Sequence, residues 1–97
     1  MKTEITVMRT AYRVVLKLRW EGDDWRSARA DCFRLAALIE EKSSSERWVT
    51  VVGDGIEHAG KGLLGGHVGV ELATGGGDEA VRAEALLREI ATKWQAR

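Results

Sequence analysis

The chain is 97 residues long, 44% hydrophobic and 31% charged, with fifteen basic residues balancing fifteen acidic ones. These proportions predict one domain over residues 1–97 with a core of its own, and no net field to recruit nucleic acid or an acidic membrane over long range. A single cysteine, Cys32, excludes an internal disulfide, and no run of about 18 apolar residues is available to span a bilayer, so a cytoplasmic chain without a membrane partner is expected.

From Thr3 to Trp20 apolar and polar residues alternate and β-branched side chains are common, which is a strand pattern. Its parity changes on the way: Ile5 and Val7 are odd, whereas Tyr12, Val14, Leu16, Leu18 and Trp20 are even. Such a switch requires a turn or a bulge. One extended segment of this length would also reach roughly 55 Å, at about 3.3 Å per residue, against roughly 30 Å for a globule of this size. Two strands meeting near Arg9-Thr10 are expected. One long bulged strand is the alternative, because Arg-Thr lacks the glycine or asparagine of a tight hairpin.

The second strand sets Arg13, Val15, Lys17 and Arg19 against its apolar side. This stripe reads as the wet side of a half-covered sheet; with no aromatics interleaved to stack bases, RNA or DNA is not the favoured partner. Trp20, at the strand end beside a turn, is the tryptophan expected to stay partly exposed. With Arg13, Lys17 and Arg19 it forms a candidate protein-contact surface.

Glu21 to Asp24 reads as a turn leading into a helix, with Asp23 or Asp24 as its N-cap. Trp25, Ala28, Cys32, Leu35, Ala36 and Ile39 then fall on one face at three- and four-residue spacings, predicting an amphipathic helix to about Lys42 that packs Cys32 as an inert thiol. A polar connector, Ser43 to Glu46, follows. Arg47 to Val52 is a third strand whose near-continuous apolar character predicts a central position, and His67 to Ala73 is a fourth. After Thr74 to Gly77, Asp78 caps a last helix whose apolar face is Ala83, Leu86, Leu87, Ile90 and Trp94.

Ten of the eleven glycines lie between Gly53 and Gly77. The segment Gly53 to Gly66 is too long for a minimal hairpin and reads as either a functional loop or an extended hairpin. Within it, Gly55, Gly60 and Lys61 resemble the phosphate-binding P-loop, which implies a phosphorylated small molecule or nucleotide held by backbone amides and Lys61. The pattern departs from that family at Gly62, where a hydroxyl would meet Mg²⁺, and in the strand-like residues that follow. The candidate ligand residues are therefore Gly55, His58, Gly60, Lys61 and Gly62. His58 and His67 with Asp54, Glu57 and Glu71 fit no closed zinc spacing, and the place of Cys32 on the apolar face of a helix argues for packing, so no metal, cofactor or catalytic residue is expected.

Together these elements predict a two-layer α+β sandwich: a mainly antiparallel four-stranded sheet with two helices on one face, in the order ββαββα. The expected function is a small non-enzymatic interaction module, a regulator, adaptor or subunit that docks on a protein partner or on itself through the open sheet face or the glycine-rich segment. Little bulk on the His67/Gly69 side of the fourth strand would let another backbone come close.

Overall fold

The computed structural model describes residues 2–21, 25–59 and 63–95. Six elements follow one another: β1 (Lys2–Arg9), β2 (Arg13–Glu21), α1 (Trp25–Ser43), β3 (Val49–Ala59), β4 (Leu63–Ala73) and α2 (Asp78–Gln95). All four strands join one antiparallel sheet in the order β1-β2-β4-β3. The α+β sandwich with the order ββαββα is what the alternating and helical patterns imply.

The parity switch is resolved as a hairpin. Residues 10–12 connect β1 to β2, and the Thr10 amide donates to the Arg13 carbonyl at 2.8 Å. Ile5 lies opposite Leu18 and Val7 opposite Leu16, so odd residues of β1 and even residues of β2 share one face. That face continues across β4 through Val68, Val70 and Leu72, all fully buried with Val14 and Leu16.

Both helices cover this face alone, α1 against β4 and β2, α2 against β1 and β2. Ala28, Cys32, Leu35, Ala36 and Ile39 of α1 and Ala80, Ala83, Leu87, Ile90 and Ala91 of α2 are buried there. A leucine removed from water in this way stabilises the fold by roughly 1.5–3 kcal/mol. Ser43 closes α1, its hydroxyl donating to the Ile39 carbonyl at 2.8 Å. Entry to α2 needs Gly76 and Gly77, at φ 87° and 57°, in a region that side chains with a Cβ rarely adopt. The Glu79 carboxylate reaches back to accept the Gly75 amide at 2.7 Å. The caps expected at Asp23 or Asp24 lie outside the described residues.

One expectation about the strands needs correction. The apolar run of β3 does not mark a central strand: β4 takes that place, and β3 is an edge. Of the two readings of Gly53 to Gly66, the extended hairpin is the one the pairing supports, because Gly53 and Gly55 continue β3, and Gly65 and Gly66 belong to β4. The two eleven-residue strands stretch the molecule to 45 Å in its longest dimension.

Candidate interaction surface

Because residues directly opposite one another in a sheet point to the same side, the register assigns every residue to a face. The face away from the helices is crossed by rows of paired residues, three of them in its middle. Met8, Val15, Glu71 and Val51 form one, Thr6, Lys17, Gly69 and Gly53 the next, and Glu4, Arg19, His67 and Gly55 the third. No element of the described chain covers them. Met8, Val49 and Val51 are each more than half exposed, at 65%, 62% and 54%, although apolar groups of this size gain most from burial.

The glycines divide by what surrounds them. A Cβ on Gly55 would lie 2.9 Å from His67 Cε1, so the imidazole rests on the bare strand beside it. A Cβ on Gly66 would collide with the Trp20 ring and stand 2.6 Å from the Gly55 carbonyl oxygen. Internal packing explains both. Gly53 and Gly69 sit opposite one another, and a Cβ on either meets nothing within 4 Å. Their bare backbone forms a shallow floor in the middle of the open face. The bulk-free side of β4 is therefore open from above, not along its edge, since β2 and β3 already pair with it.

Of the residues proposed as a contact surface, Arg13, Lys17 and Arg19 lie exposed on this face. Acidic groups interrupt the stripe: Arg13 Nε is 3.1 Å from Glu71 Oε1, and Arg19 stands opposite Glu4. Arg9 is on the other side of the sheet, bound to Glu84 at 3.1 Å. Trp20 does not belong to the surface. It shares the even parity of Val14, Leu16 and Leu18, is 2% exposed, and leaves its indole Nε1 buried without an acceptor among the described residues. Its place beside a turn suggested exposure, but parity decided the side, and Gly66 provides the space for the ring.

Of the candidate ligand residues, Gly55 is an extended residue paired with His67, and His58 pairs with Leu64 within the same ladder. Gly60, Lys61 and Gly62 lie outside the described residues. Of the acidic and histidine residues, the side chains of Asp54, Glu71 and His67 are described and are not drawn together. Asp54 faces α1, where Arg29 binds it at 2.9 Å, while Glu71 and His67 are on the open face. Among the described residues no group of three His, Cys, Asp or Glu side chains is placed to hold a metal.

Cys32 lines a cavity of about 420 Å³ with Thr3, Ile5, Leu18, Ala28, Asp31, Trp94 and Gln95. Burial, helped by the negative charge of Asp31, pushes its thiol up to about 11, so the nucleophilic thiolate is scarce at neutral pH. A second, more apolar cleft of about 270 Å³ runs between the helices, where Leu38, Leu86, Ile90 and Trp94 form its walls. Neither feature was legible in the sequence, because each depends on how the helices lean together. Among the described residues no helix is long and apolar enough to cross a membrane.

Compared with protein-family models, curated proteins and solved structures, the chain matches none of them.

Proposed function

We propose that the chain is a non-enzymatic interaction module that docks a protein partner on the uncovered side of its sheet and along β3. The observation that carries this reading is the placement of exposed apolar side chains. Of the large ones, Val49, Val51, Val52 and Ile56 all belong to the edge strand β3, and Met8 lies in the same row as Val51. An apolar edge with unpaired backbone groups is the kind of strand that a chain covers or pairs. The partner surface that fits is apolar opposite the Met8–Val51 row and follows the bare floor at Gly53 and Gly69. A single buried cysteine suits a reducing compartment such as the cytoplasm.

The test compares the wild-type chain with a Met8→Lys/Val51→Lys variant, using affinity capture from the source cells and light scattering on the purified proteins. Both changed residues are exposed, so the variant keeps its fold, as circular dichroism will show. A stoichiometric assembly, with itself or with another protein, is expected for the wild type and lost in the variant. An assembly that persists unchanged in the variant, or a wild type that forms none, would overturn the reading.

A further inference from the structure

The partner along β3 can be named from the strand itself. We propose that it is a second copy of this chain, paired antiparallel, β3 to β3, about a two-fold axis through Val52. The product is one eight-stranded sheet carrying four helices on one side. This inference rests on the reading that the chain works by docking, and it adds the identity of the partner.

The two edges of the sheet differ. β1 contains Lys2, Glu4 and Arg9 among its eight residues and tucks Ile5 and Val7 against the core. Charges of that kind keep an edge from pairing. β3 has eleven residues with neither lysine nor proline, and on its helix side Val52 and Ile56 are 39% and 48% exposed. Asp54 lies between them and accepts from Arg29 of α1, whose guanidinium carbon is 5.4 Å from the centroid of the exposed Phe33 ring. Val52, Ile56 and Phe33 thus surround one ion pair and continue the edge as an apolar patch.

A two-fold axis normal to the sheet keeps each residue on its own face, so each residue opposes a residue of the same parity in the other copy. With the axis at Val52, Val52 meets its own copy, and Val51 and Val49 stand opposite Gly53 and Gly55 of the second chain. At Gly53 an added Cβ would meet nothing within 4 Å. Thr50 then faces Asp54. The registers centred on Gly53 and Asp54 lack this match. An axis at Asp54 opposes two carboxylates, which destabilises a strand pair. An axis at Gly53 sets two glycines together and leaves Val52 against a carboxylate. Bulk against glycine and an apolar residue on the axis make β3 complementary to itself.

The experiment measures the solution mass of the full chain over a concentration series from about 1 to about 100 µM, alongside three single variants. The wild type is expected to rise from 10.7 kDa toward twice that mass. Val52→Lys is expected to remain monomeric with an unchanged circular dichroism spectrum. Under mild oxidation Val52→Cys should become a disulfide-linked dimer, with the buried Cys32 a bystander. Val49→Cys should not, because in this register it lies about 20 Å along the strand from its own copy, six residues at about 3.4 Å each. A monomeric wild type at every concentration, a dimer indifferent to Val52→Lys, or Val49→Cys cross-linking as readily as Val52→Cys would each overturn the proposal. A monomeric wild type whose captured partner is lost on Met8→Lys/Val51→Lys refutes self-pairing alone and leaves the docking reading standing.

Discussion

Replacing Gly66 by alanine tests whether the glycines of β4 are there for packing or for contact. The methyl group would collide with the Trp20 ring at Cζ2 and lie 2.7 Å from Cη2 and 2.6 Å from the Gly55 carbonyl oxygen. The ring is 2% exposed and enclosed by the core, and the carbonyl belongs to the neighbouring strand, so neither yields without moving β3 or the helices. Overpacking of this kind costs about 1–3 kcal/mol. The loss of glycine's freedom in the unfolded chain offsets about 0.4–1 kcal/mol of that. A net destabilisation of about 1–2 kcal/mol follows, or roughly 4–16 °C in Tm for a domain of this size. The control is Gly69→Ala, where a Cβ meets nothing within 4 Å and the unfolded-state term stands alone, predicting a gain of about 0.4–1 kcal/mol. Urea denaturation of both variants at low protein concentration, followed by tryptophan fluorescence, reads the difference. Equal stabilities for Gly66→Ala and Gly69→Ala would refute the assignment of these two glycines to opposite roles.

Three further outcomes are expected. Cys32 should react with a disulfide reagent at pH 8 far more slowly in the folded chain than in urea, since its thiol is buried and pushed up to about 11; equal rates would contradict its burial. The same shift has a sign in stability. A folded-state value raised above the ordinary 9.0 contributes fully below pH 9 and is lost as pH climbs toward 11, so Cys32→Ala should flatten the alkaline decline seen in a series of denaturation curves. The Arg29–Asp54 pair joins α1 to the β3 edge with side chains 43% and 32% exposed, and a double-mutant cycle should give about 0.2–1 kcal/mol, falling with added salt.

Much of the fold was legible because the chain obeys two periods. Ile5 and Val7 set against Val14, Leu16, Leu18 and Trp20 required a turn or a bulge, and chain length favoured the hairpin, while the three- and four-residue spacing from Ala28 to Ile39 required a helix with one buried side. The position of β3 was not legible. A run such as Trp48-Val49-Thr50-Val51-Val52 reads the same whether its two faces are covered by this chain or by another, and only the strand order separates the cases. Trp20 was misplaced for a related reason. A strand end beside a turn suggests exposure, but the space for its indole comes from Gly66, more than forty residues away in sequence. Of the P-loop resemblance, Gly55 is extended and paired with His67 of β4, while Gly60, Lys61 and Gly62 lie outside the described residues. Glycine content marked the region of interest, while the distinction between the glycines came from their neighbours across the sheet.

Hydrogen–deuterium exchange of the β3 amides tests most directly the claim that this strand is a contact edge. In the isolated chain the outward-facing amides of residues 49–59 have no strand beyond them among the described residues. Exchange followed by mass spectrometry, on dilute and on concentrated protein, should show protection growing across this segment while residues 2–9 at the opposite edge stay unchanged. Identical exchange of residues 49–59 at every concentration, and also in the presence of any captured partner, would contradict the claim.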